Sequence, residues 1–289
     1  MLRENKARIL CKQVLQRCGS HPAEVILTGN SSALTRFANN AIHQNVAERN
    51  LELLVRLFIG KRSGIASTNR SDPDSLDELV QHAIALAQAS PEDPDFLGLS
   101  EPQASPPVEA FDQATAGYSP EQRAEQVGLV CRLAAERGLN AYGAFLTSAE
   151  ELAIANSLGL FVSHVSTKAD FQTVVMAPDA SGRAHASSWK AADLDIAALG
   201  AEAIQKAEQG RSPQAIEPGE YAVVFDPYVT EDLLTNLNYY GMGAQAVLDG
   251  RSWMNDLIGE QAMDARVNIW DDGCDSGGLP LPFDYEGLA

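Results

Sequence analysis

Side chains that could bind a metal or move protons are few in this chain and poorly spaced for either task. The five histidines are His21, His43, His82, His164 and His185. No two are four residues apart, the spacing that puts paired imidazoles on one helix face for a shared ion. His43 and His164 fall on strand-like stretches, and satisfied structural histidines are the preferred reading there. Carboxylates gather late in the sequence, at Asp271, Asp272, Asp275, Asp284 and Glu286, among glycines. Oxygen-rich loops can hold calcium or magnesium. This spacing fits no EF-hand, however, and Asp-Gly and Asp-Ser pairs are ordinary turn residues. Ser252 lacks a glycine-flanked elbow and reads as a turn or cap residue, and no phosphate loop or nucleotide fingerprint occurs. Arg36, Asn39 and Asn40 are polar residues in an apolar stretch. They could bond an extended peptide or a partner subunit, although an Asn pair between strands reads first as a turn.

The elements that must carry these residues fall into two similar runs. Ile9, Leu10, Val14, Leu15 and Cys18 make a helical stripe that stops at Gly19. Residues 23–28 read as a strand, and the alternation Leu51, Leu53, Val55, Leu57, Ile59 predicts strands, with Gly60 and Gly64 marking the turn. Ser75 and Glu78 form a capping box ahead of a helix with Leu76, Leu79, Val80, Ala83, Ile84 and Ala87 on one side. The second run starts at another capping box, Ser119-Pro120-Glu121-Gln122. It continues through strand-like segments near 141–148, 151–156, 160–166 and 171–177 to a helix near 194–209. Residues 76–90 lie over 196–210, and 63–68 over 183–188, at one constant offset, so an α+β unit is duplicated.

The expected organisation is a first α+β unit at 1–90, a Pro-rich linker at 91–118, a second α+β unit at 119–210, and a C-terminal domain beginning at 217. That last region opens with an apolar strand, 221–225. A capped helix follows from Asp226-Pro227, with Leu233, Leu237, Tyr240, Ala244 and Val247 as its buried stripe.

Composition narrows the partners. The 289 residues carry a net charge of −18, and no cluster of Lys and Arg supplies the basic stripe that phosphate neutralisation needs. No nucleic-acid partner is expected. No apolar run approaches the roughly 20 residues that span a bilayer, and the first residues lack the apolar core of a signal peptide. Cys11, Cys18, Cys131 and Cys274 are scattered without a Cys-x-x-Cys pair, which fits a reduced, cytoplasmic protein.

The order Ser252…Gly259-Glu260…Asp271-Asp272-Gly273…Phe283-Asp284-Tyr285-Glu286-Gly287 resembles the third region of the TldD/PmbA family, once called modulators of DNA gyrase. The stretch from Arg36 to Asn45 resembles a landmark of its first region. The resemblance covers essentially the whole chain. It implies an α+β fold: two duplicated helix–strands–helix subdomains followed by a mostly β, barrel-like C-terminal domain. That domain is incomplete here, because family members continue past the Phe283–Gly287 landmark. Missing strands would leave open edges, so instability or dependence on a partner is expected.

The family's implied activity is a cytosolic two-subunit metallopeptidase acting on unfolded peptides, in which TldD carries zinc and TldE (PmbA) does not. The zinc subunit's His-Glu-x-x-x-His would occupy 235–240, where this chain reads Thr-Asn-Leu-Asn-Tyr-Tyr. Thr235 offers a neutral hydroxyl, Asn236 cannot take a proton, and the Tyr240 phenol has a pKa of about 10 and is a poor ligand at neutral pH. The resemblance therefore implies a non-catalytic TldE-type subunit, with no cofactor in this chain and zinc in a TldD-type partner. The expected partners are that zinc subunit or a second copy, and extended peptides. Arg36, Asn39, Asn40, Asp272, Asp284 and Glu286 are the candidate peptide or subunit contacts. The alternative is a non-enzymatic scaffold that self-associates.

Overall fold

A computed structural model describes residues 4–289 of the chain. One compact unit comprises the chain up to Pro213 together with Asp272–Ala289, and a second comprises Gln214–Asp271.

The first unit is built on six antiparallel strands in the order β3-β2-β1-β4-β5-β6, an open sheet. These are β1 (Ala23–Ala38), β2 (Ala41–Ile59), β3 (Arg62–Thr68), β4 (Asn140–Asn156), β5 (Phe161–Met176) and β6 (Ser181–Ser188). Helices α1 (Glu4–Arg17) and α2 (Pro73–Ala89) pack over the first three strands, and α4 (Pro120–Glu136) and α5 (Ile196–Gln209) over the last three. The short α3 (Gln113–Ala116) precedes α4. The α+β class and the duplication expected from the sequence are both present. The two copies share one sheet, joined where β1 pairs with β4 from Glu24↔Asn156 to Phe37↔Gly143.

Period-two burial follows from that arrangement. Odd-numbered residues of β1 and β4 face the helices. Val25, Leu27, Ala153 and Ala155 join the α1–α2 core, and Phe37, Ala141 and Phe145 join the α4–α5 core. On the opposite face a smaller cluster, Ile154, Leu160 and Val162, is closed by Phe283. Cys11 and Cys18 both pack into the α1 core, and burial pushes their thiols up to about 12 and about 11. Arg123, in the first turn of α4, is also buried. Its guanidinium donates to Tyr118 O at 2.7 Å, Thr147 Oγ1 at 3.0 Å and Thr35 Oγ1 at 3.2 Å, riveting α4 to β1 and β4.

Several local expectations change. The first capping box is displaced: α2 starts three residues earlier, because Asp72 accepts from Ser75 N and Pro73 occupies the first turn. The second box, Ser119 with Gln122, is formed as read. The segments read separately at 141–148 and 151–156 are one continuous strand, as are those at 160–166 and 171–177. Gly64 is not a turn residue. It lies within β3, where a Cβ would sit 2.0 Å from Ala83 O of α2. Gly182 in β6 meets Ala203 O of α5 in the same way, at 2.1 Å. Gly64 and Gly182 are therefore the equivalent positions, so the strands repeat at a spacing two residues shorter than the helices do.

The 91–112 stretch runs along the margins of the sheet. Phe96 stacks on Phe58 at 3.9 Å between centroids, Ser100 O accepts from Asn156 Nδ2 at 2.7 Å, and Ala110 O accepts from Thr167 N at 2.8 Å.

In Gln214–Asp271 the strand expected at 221–225 does not form, and no strand occurs among the described residues from 214 to 289. Backbone in a strand needs a paired neighbour, and this segment has none. The long helix expected from 227 is broken. It runs as α6 (Pro227–Leu237), continues as a π turn over Asn238–Met242, and resumes as the short α7 (Ala244–Leu248). The stripe expected to be buried is not: α6 has no buried residue, and Leu233 and Tyr240 are 48% and 62% exposed.

The Gly64 and Gly182 contacts make a direct prediction. Gly64→Ala or Gly182→Ala should each lower unfolding stability by about 3 kcal/mol through overpacking. Gly128→Ala in mid-α4, where a Cβ meets only Arg132 Nη1 at 3.3 Å, should raise it by up to ~1 kcal/mol. Urea titration of the three variants checks both signs.

Candidate functional sites

Two places draw together the residues singled out by sequence. The first lies within Gln214–Asp271. Asp226 caps α6 by accepting from Val229 N at 3.0 Å, and Thr235 sits on this helix at the wall of a groove of about 920 Å³. Leu234, Met242, Trp253, Met263 and Trp270 supply its apolar lining. Asn236 does not reach the groove wall; its amide donates to Asp232 O at 2.7 Å on the same helix. Tyr240 packs edge-to-face on Tyr239, 5.1 Å between centroids, with both rings exposed. The π turn is fixed from behind. Ser252 donates to Gly241 O at 2.6 Å and accepts from Met254 N at 2.9 Å, and a Cβ on Gly241 would strike the Trp253 ring. Ser252 is thus the turn-fixing residue its context suggested.

A hydroxyl, a carboxamide and an exposed phenol do not fit zinc, which takes imidazole, thiolate or carboxylate ligands. Among the described residues no three His, Cys, Asp or Glu side chains converge on a metal position. Thr235, Asn238, Gln261, Asp264, Asn268 and Asp271 are the polar points on the groove wall.

The second place is the helix-free face of the sheet, where residues 280–288 lie across the strands. Phe283 is buried against Ile154, Leu160 and Val162. Asp284 Oδ1 accepts from Glu286 N and Leu288 N, each at 2.9 Å, folding the landmark into a turn. Gly287 has φ +76°, and a Cβ there would lie 2.7 Å from Leu160 Cδ2. Gln103 Nε2 donates to Gly287 O at 2.9 Å. Glu286 meets Arg56 of β2 at 3.1 Å, and the same arginine reaches the buried Glu24 of β1 at 3.0 Å. Burial is the main influence raising the Glu24 pKa. Arg56 opposes it, while Glu286 and Asp284 add to it. His164 Nε2 lies 3.0 Å from Pro280 O, and a carbonyl can only accept, so Nε2 carries the proton. Burial holds the His164 pKa below its ordinary value, the Pro280 contact opposing it. Beside this segment is a polar cavity of about 340 Å³ with Asn30, Asn50, Glu52, Glu150, His164 and Tyr285 in its wall.

The remaining candidates serve turns. Asn39 and Asn40 have φ of +50° and +60° and form the β1–β2 hairpin turn, as their sequence context suggested. Asn40 also donates to Leu139 O at 2.8 Å and accepts from Ala141 N at 2.7 Å, tying the turn to β4. Arg36 is exposed nearby. This group lies at the opposite end of β1 from Glu24, so Arg36, Asn39 and Asn40 do not meet Asp284 and Glu286. Asp272 accepts from Cys274 N at 2.9 Å and Asp275 from Gly277 N at 2.8 Å, the turn role rather than a cation cage. Sequence reasoning missed Glu24 and Arg56. The signal was a lone charge in each of two apolar strands, Ala-Glu-Val-Ile-Leu and Leu-Val-Arg-Leu-Phe.

Sequence profiles of the PmbA/TldA metallopeptidases match in three parts: domain 1 over residues 23–87, the central domain over 69–211 and the C-terminal domain over 218–289. Three solved structures share the fold. A candidate modulator of DNA gyrase from Bacteroides thetaiotaomicron has a TM-score of 0.87 at 18% identity, over 100% of this chain and 69% of that one. Another from Thermotoga maritima has a TM-score of 0.82 at 17% identity, over 98% and 66%. TldE from Thermococcus kodakarensis has a TM-score of 0.61 at 19% identity, over 70% and 47%. The chain thus spans between about half and about two thirds of these proteins' lengths. No curated protein sequence matched.

The packing of residues 280–288 is open to test. Phe283→Ala should cost about 3 kcal/mol and release His164. Because the folded-state pKa of His164 is depressed, its neutral form contributes stability that is complete above the ordinary value of 6.5 and is lost as pH falls from there through the folded value. An NMR titration should place His164 below 6.5 in the native chain and return it toward 6.5 in Phe283→Ala.

Proposed function

The chain belongs to the PmbA/TldD family, and from that membership we propose that it is a TldE-type, non-catalytic subunit of a TldD/TldE zinc metallopeptidase. The observation that carries this reading is the segment from α6 into the following π turn, which holds Thr235, Asn236 and Tyr240 where the family resemblance would put the zinc ligands and general base. The helix and its neighbouring groove remain formed, while the groups that would activate a water are replaced by ones that cannot. In this role the chain supports hydrolysis of unfolded peptides. The groove of 214–271 receives apolar side chains of an extended substrate, and a TldD-type subunit supplies zinc and the base.

Exposed apolar side chains favour a partner over a solitary protein. Val224, Tyr239, Leu248 and Trp270 are all at least 76% exposed, apolar surface that a partner would cover. A cytoplasmic location belongs to the same proposal; no helix among the described residues is long and apolar enough to cross a membrane.

Co-expression with a TldD-type subunit should give peptidase activity that depends on this chain, and the purified chain alone should carry no stoichiometric zinc by elemental analysis. Activity of the sibling that is indifferent to this chain, or one zinc per isolated chain, would overturn the proposal. A stable homodimer that ignores the sibling would instead favour the scaffold reading.

A further inference from the structure

Arg56 serves two carboxylates through one nitrogen. Its Nη2 lies 3.0 Å from Glu24 Oε1 and 3.1 Å from Glu286 Oε1. Arg56 Nε and Glu24 Oε2 are both buried without a hydrogen-bond partner. The register places Glu24 directly opposite Arg56, where a guanidinium and a carboxylate can dock with two parallel bonds. The two unfilled atoms are the missing half of that fork. Arg56 therefore has two discrete settings: shared with Glu286, as seen here, or forked fully onto Glu24. The first holds residues 280–288 against the sheet, and the second releases the one ion pair they make among the described residues.

We propose that residues 280–288 are a strap across the open face of the sheet, that Arg56 moving between Glu24 and Glu286 closes and opens it, and that a proton on Glu24 favours closure. The charged groups facing Glu24 are Arg56 on β2 and Glu286 and Asp284 on the strap, and its register neighbour on β4, Asn156, is neutral. A closed strap thus brings two further carboxylates near Glu24 with one shared cation. Protonating Glu24 removes that excess and leaves Arg56 wholly to Glu286. The sign is fixed by linkage: the closed state binds the proton more tightly, so lowering pH through the Glu24 titration closes the strap. The strap contributes Leu281 and Tyr285 to the wall of the polar cavity, so its movement changes access to Glu52, Glu150 and His164. This inference does not depend on the chain being a TldE-type subunit.

His164 titrates in the opposite sense and contacts the same strap, so the test uses His164→Gln, which keeps an amide donor for Pro280 O. Amide hydrogen exchange across 280–288, corrected for intrinsic rates, is followed by mass spectrometry between about pH 8 and about pH 5. Protection should rise as pH falls, by up to about tenfold for each ~1 unit by which the Glu24 pKa differs between open and closed strap. Adding Glu24→Gln should give high protection at every pH, and adding Arg56→Met should give low protection at every pH. Unchanged protection in the β4 peptides reports that each variant is folded. A pH response that survives Glu24→Gln, or a strap indifferent to Arg56→Met, overturns the proposal.

Discussion

The antiparallel pairing of β1 with β4 is the constraint on which the first unit depends. It joins residues more than a hundred positions apart into one unbroken register. Each copy of the duplicated unit alone would present a long strand with a bare edge, which sheets avoid. Together the copies give six strands that feed two cores on one face, through odd-numbered side chains in β1, β2, β4 and β5 and even-numbered ones in β3 and β6. α1 reaches across the junction to β4 and α4 reaches across to β1 and β2. The buried Arg123 makes the same crossing with hydrogen bonds, using only neutral oxygens as acceptors. A buried guanidinium is tolerable there because its donors are met.

Charge on the other face follows a different economy. The chain is strongly acidic, and a single arginine stands between Glu24 and Glu286. Packing and electrostatics work together around it: Phe283 fills the apolar patch while Gly287 permits the close backbone approach that brings Glu286 within reach. The sequence landmark at 283–287 is therefore a docking device. Its aromatic, turn-forming acid and glycine each have a mechanical task, separate from any chemistry of the α6 helix.

The sequence displayed its local features more clearly than its long-range ones. Helix starts at Ser119 and Asp226 and the Asn39–Asn40 turn rest on neighbours within a few residues. The union of the two copies in one sheet was not legible, because strand partners across a hundred residues leave no spacing rule to read. Gly64 reads as punctuation in the sequence, since nothing local distinguishes a turn glycine from one under a helix backbone. The duplication was legible, but its spacing was set by the helices, which hid the two-residue offset at Gly182. At the candidate sites, the unsuitability of Thr235, Asn236 and Tyr240 as zinc ligands can be read from residue chemistry once the family resemblance points to those positions. The Glu24–Arg56 pair needed the register. The C-terminal strands failed to appear because a strand is a property of its neighbours, and Tyr221–Phe225 has none to pair with.

The segment between α2 and α3 bears on how the two copies can move. It touches the first copy through Phe96 on Phe58 and the second through Ala110 on Thr167, along a sheet that already spans both. It is therefore a brace and not a hinge. A single cut in this segment would leave two pieces still held as one particle by the sheet. One continuous sheet resists relative rotation of the copies, so segments lying on the sheet are freer to move than the sheet itself.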